Sequence, residues 1–164
     1  NVSSNTLTAL PKALFTLKKL RYLNLTANKL KSLPAAIGTL KNLEELEVGF
    51  NQLATLPKEF GGLSKLTRLV TAKNNLKDLP AEFGQLPALQ IIDLSYNTFV
   101  AIPAALVAVK TIKTIDISFN KLLAAYPAEI KDLKTLRVLN LKNTKITAKQ
   151  VEDLTWIENC QILF

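Results

Sequence analysis

Two aspartates occupy equivalent positions in successive segments of similar sequence, Asp93 in the stretch "DLSYN" and Asp116 in "DISFN". If they lie on neighbouring strands, their carboxylates are about 5 Å apart, close enough to share a proton or a cation. The sequence offers no third or fourth ligand that converges on them, and acidic residues are common on protein surfaces. We therefore interpret the pair as part of a polar surface rather than as a metal or acid–base site.

Other residue types that support catalysis are scarce. The chain of 164 residues contains no histidine, which removes the commonest general base and the commonest metal ligand. Its single cysteine, Cys160, excludes an intrachain disulfide and is interpreted as a small core residue. The serines lie in loop segments, and no glycine-rich phosphate-binding motif occurs. The sequence therefore predicts a protein that is not an enzyme and that needs no cofactor or metal.

These few polar residues lie within a repeating sequence. Asparagines recur at a constant interval, at Asn5, Asn28, Asn51, Asn74, Asn97 and Asn120. Prolines recur with the same period, at Pro11, Pro34, Pro57, Pro80 and Pro103. Each LxL segment predicts a short strand with two leucines on one side, and each PxxIGxL segment predicts a helical turn. Each asparagine amide is expected to satisfy backbone groups of its own turn and of the next repeat.

The shared pattern LxxLxLxxNxLxxLPxxIGxLxx resembles the leucine-rich repeat family in its 23-residue LPxxI form, over residues 1 to about 146. The resemblance implies an α/β solenoid, a curved horseshoe arc. In it, a parallel β-sheet lines the concave face and short helices or 3-10 turns line the convex side. It also implies that partners bind on the concave face. We expect a single domain with a partial first repeat (1–19), repeats (20–146) and a C-terminal capping helix and strand (147–164).

The cap differs from the repeats and resembles that of bacterial members of the family. Thr147 and Gln150 form a T-x-x-Q capping box, which predicts an amphipathic helix buried through Val151, Leu154 and Ile157. The spacing of Ile157, Cys160 and Ile162 then fits LxxLxL once more and predicts a last strand that ends at Phe164. Trp156 is expected to pack within the cap.

Three irregularities carry further expectations. The repeat 112–135 is one residue longer than the others, and the extra residue is expected to bulge the chain at Ala124, Ala125 and Tyr126. Thr71 occupies a core leucine position, and its hydroxyl is expected to form a local backbone hydrogen bond. The apolar residues near the N-terminus are expected to lie at a poorly covered end, through which the chain could associate with itself. These residues are Val2, Leu7, Leu14 and Leu17.

The outward positions of the strands and of the turns that follow them are the predicted partner-binding residues. They are Tyr22, Asn24, Glu45, Glu47, Phe50, Arg68, Val70, Ile91, Asp93, Tyr96, Asp116 and Phe119. The aromatic residues before the ladder asparagines, Phe50, Tyr96 and Phe119, remain open between a packing role and a binding role. The stronger candidates are Tyr22, Ile91, Val70 and Val138, because large apolar side chains at outward positions add nothing to the core.

The net charge of +8 does not change this interpretation. Most lysines fall in loops and outer segments, where they form no basic stripe with interleaved aromatics, so no nucleic-acid partner is predicted. The sequence shows no signal peptide and no apolar run long enough for membrane insertion. The compartment stays open between the cytoplasm and bacterial secretion or the cell surface. The sequence favours a module that binds a protein or peptide. The alternatives are the targeting domain of a larger bacterial effector or surface protein and, more weakly, a glycan or lipid binder.

Overall fold

The structure is a computed structural model that describes residues 1–154 and 159–164. Within these residues, each repeat contributes a short parallel strand, a tight turn and a 3-10 helix. The strands are β1 (Tyr22–Asn24), β2 (Glu45–Glu47), β3 (Arg68–Val70), β4 (Ile91–Asp93), β5 (Thr114–Asp116), β6 (Val138–Asn140) and β7 (Gln161–Leu163). They form one parallel sheet in sequence order. This arrangement confirms the predicted α/β solenoid.

Short helices line the side opposite the sheet. The 3-10 helices are Lys12–Thr16, Ala35–Thr39, Lys58–Gly62, Ala81–Gln85, Ala104–Ala108 and Ala128–Asp132. A proline directly precedes each of them and fixes an extended backbone there, as at Pro57 with φ −70°. The α-helix α1 (Ala148–Glu152) precedes β7.

The core lies between the sheet and these helices. The middle residue of each strand points inward, so that Leu46 and Leu69 face each other across β2 and β3 and are fully buried. The residues on either side of it point outward, because side chains alternate along a strand. Phe60 and Phe83 stack behind the sheet with ring centroids 5.3 Å apart. The fold thus leaves two outward residues per strand free to vary.

The buried asparagines bind the repeats together. The Asn51 amide nitrogen donates to the Val48 and Gly49 carbonyls of its own turn, at 3.1 and 3.0 Å, and to the Leu25 carbonyl at 3.1 Å. The Asn51 amide oxygen accepts the N–H of Leu30 at 3.0 Å. Leu25 and Leu30 belong to the preceding repeat, so the expectation of a bond to the next repeat was wrong. The same geometry recurs at Asn28, Asn74, Asn97 and Asn120.

The extra residue of the longer repeat, 112–135, does not bulge the chain at Ala124, Ala125 and Tyr126, so that prediction was wrong. Ala125 instead forms a parallel bridge with Ala101. Ala124 also donates its N–H to the preceding repeat at 3.0 Å. These residues are therefore in register with their neighbours.

The extra residue lies earlier, in a turn that the Leu123 N–H closes by donating to the Asn120 carbonyl at 3.0 Å. Leu123 fills the core position, whereas Leu122 is 54% exposed. In the other repeats the equivalent N–H donates to the next ladder asparagine, but here Thr144 stands in that place. The Thr144 hydroxyl donates to the Leu141 carbonyl at 2.7 Å. The inserted turn thus removes the need for an asparagine at position 144.

The predicted capping box is present at the start of α1. The Gln150 N–H donates to the Thr147 hydroxyl at 3.3 Å, and the Thr147 N–H donates to the Gln150 side chain at 2.9 Å. Leu154 is buried, as predicted, but it lies beyond α1, which ends at Glu152, and not on the helix. The expectations for Trp156 and Ile157 lie outside the described residues.

The final strand is present, but its register differs from the predicted one. Ile162 pairs with Leu139, so Ile162 and not Cys160 occupies the fourth position of LxxLxL. The assignment of Ile157, Cys160 and Ile162 to that pattern was therefore displaced by two residues. Side chains alternate with a period of two, so such a shift keeps the same residues facing inward and escapes detection in the sequence. Cys160 is half-buried against the core, and this burial raises the pKa of its thiol.

The buried Thr71 hydroxyl has a backbone partner, but that partner is not local, so this part of the prediction was wrong. The hydroxyl donates to the Asp93 carbonyl at 3.1 Å, on the neighbouring strand. The buried hydroxyl is thus satisfied without a functional role.

The apolar residues at the N-terminal end are incompletely covered, as predicted. Val2 is 41% exposed and Leu17 is 51% exposed. Leu7 and Leu14 are half-buried against the core.

Candidate functional site

The predicted binding residues lie in two groups. The outward residues of the strands are Tyr22, Asn24, Glu45, Glu47, Arg68, Val70, Ile91, Asp93 and Asp116. The residues of the following turns are Phe50, Tyr96 and Phe119. We call the outward side chains of β1 to β6 the concave face. The parallel register brings them into two columns, so that each outward residue lies beside its equivalent on the next strand.

A chain of polar contacts crosses the first three strands. Asn24 donates to one Glu47 carboxylate oxygen at 2.7 Å, and Arg68 donates to the other at 2.9 Å. The Arg68–Glu47 ion pair is partly exposed, so it contributes at most about 1 kcal/mol to stability. Its main effect is to hold these side chains in fixed positions on the face.

The paired aspartates each support the turn that follows their strand. The Asp93 carboxylate accepts the Ser95 N–H at 2.9 Å, and the Asp116 carboxylate accepts the Ser118 N–H at 3.0 Å. Asp116 also accepts from the Asn140 amide at 2.8 Å. This turn-supporting role was missed in the sequence, although the D-x-S spacing is the signal for it.

Asparagine side chains support the following turn in the same way at equivalent positions on two other strands. Asn24 accepts the Thr26 N–H at 2.9 Å, and Asn140 accepts the Lys142 N–H at 3.2 Å. A side-chain oxygen therefore supports the turn on four of the six strands, with or without a negative charge, whereas Val70 at the equivalent position of β3 has none. The negative charges of Asp93 and Asp116 are therefore not needed for the turn, and they contribute to the surface charge of the concave face.

A ladder of stacked side chains runs along the turns at the edge of the concave face. We call Phe50, Lys73, Tyr96 and Phe119 the turn ladder. The Lys73 ammonium lies 4.4 Å from the Phe50 ring centroid and 5.1 Å from that of Tyr96. Tyr96 and Phe119 stack with centroids 4.1 Å apart and an interplanar angle of 7°. Lys73 was absent from the predicted binding residues, although its position one repeat after Phe50 and one repeat before Tyr96 was visible in the sequence.

All four residues of the turn ladder adopt left-handed backbone conformations, with φ between 53° and 56°. For a residue other than glycine this costs about 1–2 kcal/mol. The stacking and cation–π contacts offset part of that cost, at about 0.5–1.5 kcal/mol each. Tyr96 has a ladder neighbour on each side along the repeat axis, so its ring faces are engaged within the protein.

Tyr22 lies at the start of the concave face and is 55% exposed. The Arg21 guanidinium lies 5.4 Å from its ring centroid and donates to the Glu44 carboxylate at 2.8 and 2.7 Å. These hydrogen bonds are the main reason that the pKa of Glu44 is lowered. The aromatic ring is thereby held in place while most of its surface stays open to solvent.

A shallow hollow of about 230 Å³ lies beside Tyr22 and is also lined by Asn24, Glu45 and Glu47. Farther along the face, Ile91 is 39% exposed on β4. The face thus combines fixed charges, a hollow and exposed apolar side chains.

Two kinds of site are not found in residues 1–154 and 159–164. These residues contain no group of three or more histidine, cysteine, aspartate or glutamate side chains that could hold a metal ion. They also contain no helix with the length and apolar character needed to cross a membrane.

Comparison with known proteins agrees with this geometry. The model of a family described as leucine-rich repeat region matches residues 8–77. A leucine-rich repeat protein of Leptospira interrogans is 38% identical, with a TM-score of 0.89 over 97% of this chain and 40% of that one. A TDR receptor is 29% identical, with a TM-score of 0.79 over 95% of this chain and 28% of that one.

Internalin C2 of Listeria monocytogenes shares the fold at 24% identity, with a TM-score of 0.82 over 98% of this chain and 67% of that one. A search of curated proteins found no match. The chain spans less than half the length of the Leptospira protein and of the TDR receptor. The similarity to the Leptospira protein suggests a bacterial origin.

Proposed function

Because the chain is a leucine-rich repeat protein, we propose that it binds a protein or peptide partner on the concave face of its sheet. The leucine-rich repeat fold is typically a protein-interaction module, and its members are generally non-enzymatic. The partner contacts are assigned to the twelve predicted residues. We further propose residues 1–19 as a partial first repeat, 20–146 as the repeats and 147–164 as the cap.

The exposure of Tyr22 and Ile91 is the observation that carries the proposal. These side chains are 55% and 39% exposed at outward strand positions, where the fold tolerates polar residues equally well. Exposed aromatic and aliphatic groups surrounded by charge are typical of protein-docking surfaces. Tyr96 has Lys73 and Phe119 as ladder neighbours, which disfavours the stacking of a glycan on Tyr96.

A second candidate is the recognition part of a larger bacterial protein. The similar Leptospira protein and the TDR receptor extend well beyond the length of this chain. In that case the concave face selects the target and another domain acts on it. Comparison of the full gene product with this chain separates this candidate from a stand-alone module.

The proposal is tested by partner capture with a concave-face variant. The variant combines Tyr22→Ala and Ile91→Ala with Glu47→Gln and Asp93→Asn. These changes remove apolar surface and charge, while Asp93→Asn keeps the oxygen that supports the turn. We expect the captured partner, quantified by mass spectrometry from a lysate of the source organism, to be lost.

A matched control makes the same kinds of change away from the concave face. It combines Val100→Ala and Leu122→Ala, which are 59% and 54% exposed in the unaltered protein, with Glu129→Gln and Asp132→Asn. The control is expected to capture the partner as well as the unaltered chain does. Equal capture by both variants contradicts the proposed concave face.

A further inference from the structure

The concave face carries a charge opposite to that of the whole chain. The outward residues of strands β1 to β6 include four carboxylates, Glu45, Glu47, Asp93 and Asp116, against one guanidinium, that of Arg68. The guanidinium is already paired with Glu47 at 2.9 Å. The chain as a whole has a formal net charge of +8. This face therefore attracts a positively charged partner, which other surfaces repel.

The carboxylates are concentrated at two places on the sheet. Glu45 and Glu47 both project from β2 beside the hollow that contains Tyr22. In the described part of the chain, the Glu45 side chain has no hydrogen-bonding or ion-pair partner. Asp93 and Asp116 form the second place, because they are directly paired across β4 and β5.

Apolar side chains lie between these two places. Val70 on β3 is half-buried, and Ile91 on β4 is 39% exposed. A partner that reaches both acidic places must therefore present an apolar group in the middle. Along the column Glu47, Val70, Asp93 and Asp116 the order is therefore acidic, apolar, acidic. The other outward residue of β3, Arg68, has its guanidinium on Glu47 at 2.9 Å.

The distance between the acidic places selects an extended peptide. From β2 to the midpoint of β4 and β5 is two and a half strand spacings, or about 12 Å. In an extended chain, residues i and i+4 are about 13 Å apart and project to the same side. Residue i+2 also projects to that side, over the apolar centre.

We propose that the concave face binds an extended peptide segment with cationic side chains at i and i+4 and an apolar side chain at i+2. This inference rests on the proposed function and names the chemistry of the partner. The first cation binds Glu45 and Glu47 beside the Tyr22 ring, and the second binds between Asp93 and Asp116. The peptide crosses the strands rather than joining the sheet, because the strand backbones already pair with one another. Recognition therefore depends on side chains.

The test is an NMR titration of the isotope-labelled chain with the blocked peptide Gly-Lys-Gly-Leu-Gly-Lys-Gly. We expect chemical-shift changes centred on the amides of β2 to β5 and an affinity that falls as ionic strength rises. A second peptide carries one extra glycine between the leucine and the second lysine, which places that lysine on the wrong side. It is expected to bind several-fold more weakly.

Matched variants locate the second cation. Asp93→Asn with Asp116→Asn removes both charges and keeps the turns, since the side-chain oxygens of Asn24 and Asn140 support the equivalent turns. This variant is expected to raise the dissociation constant of the first peptide about tenfold, which corresponds to about 1.4 kcal/mol. A control variant that neutralises Glu129 and Asp132 on the opposite side is expected to leave the constant unchanged.

Equal binding of the two peptides, or no effect of Asp93→Asn with Asp116→Asn, overturns the inference. If the peptide does not bind but the concave-face variant loses its captured partner, only the basic-peptide inference is wrong. If the peptide does not bind and the concave-face variant still captures the partner, the proposed function is wrong as well.

Discussion

Replacement of Asn97 by alanine tests how the repeats are held together. The Asn97 amide nitrogen donates to the carbonyls of Thr71, Leu94 and Ser95 at 3.1, 3.0 and 3.1 Å. Its amide oxygen accepts the N–H of Leu76 at 2.9 Å. Asn97→Ala removes all four hydrogen bonds from the centre of the solenoid, where this side chain is 7% exposed.

The structure indicates which of these losses is costly. The Thr71 carbonyl also accepts from Asn74, and the Leu94 carbonyl also accepts from Asn120, so both keep a donor. The Leu76 N–H loses its acceptor inside a fully buried residue. An unsatisfied buried donor costs about 1–3 kcal/mol, and the lost neutral hydrogen bonds add about 1 kcal/mol. We therefore expect the free energy of unfolding to fall by about 2–4 kcal/mol.

Urea unfolding followed by circular dichroism measures this change, with Asn5→Ala as the matched control. Asn5 occupies the equivalent position near the N-terminus, but it is exposed and donates only to the Val2 and Ser3 carbonyls. Its replacement is expected to cost less than about 1 kcal/mol. If the two variants lose the same stability, the bonds between repeats do not carry the stabilisation assigned to them.

Three further predictions concern side chains outside the asparagine ladder. Lys73→Met removes the ammonium between two rings and is expected to lower the free energy of unfolding, measured in urea, by about 0.5–1 kcal/mol; an unchanged value contradicts the cation–π role. Tyr126→Phe removes the hydroxyl that donates to the Gln150 carbonyl at 2.8 Å and is expected to cost about 1 kcal/mol at neutral pH. Burial, assisted by a nearby carboxylate, raises the pKa of Tyr126 above its usual 10.0, so the folded state holds this proton longer than the unfolded state as pH rises. Stability from this group is therefore present below pH 10 and lost above it, and urea titrations across this range should show a shallower loss for Tyr126→Phe than for the unaltered chain. Because burial raises the pKa of Cys160, iodoacetamide is expected to alkylate it more slowly in the native chain than in urea, and equal rates would contradict its packing against the core.

The periodic residues made most of the fold predictable. The asparagine and proline ladders located every repeat, and the alternation within LxL identified which residues face the core. The capping box at Thr147 was also predictable from the sequence, because it depends on two residues in local contact. Each of these features involves a strong local preference or a period that repeats many times.

Features that depend on a choice between equivalent residues were less predictable. "KLL" offers two leucines for one core position, and only packing decides that Leu123 is buried and Leu122 is exposed. The predicted register of the last strand was displaced by two residues, because the alternating pattern looks the same in both registers. The asparagine amides reach the preceding repeat because of the backbone positions, which the sequence does not reveal.

The residues that point outward on the concave face were predictable, but their contacts were not. The repeat pattern identified the outward residues, including Asp93 and Asp116, while the turn-supporting bonds of these aspartates emerged only from the structure. Lys73 joins the aromatic residues in a ladder because equivalent turn positions lie side by side along the solenoid. Outward residues can change without affecting the core, so the fold pattern says nothing of the partner they select.

Site-specific photo-cross-linking tests the concave face most directly. A benzophenone amino acid is placed at Ile91 on the concave face or, as the control, at Leu122 away from it. Both positions are exposed, at 39% and 54%, so both probes can reach a bound partner. Our account predicts a cross-linked partner from position 91 and none from position 122. A product from position 122, or none from position 91 while the partner is bound, would contradict it.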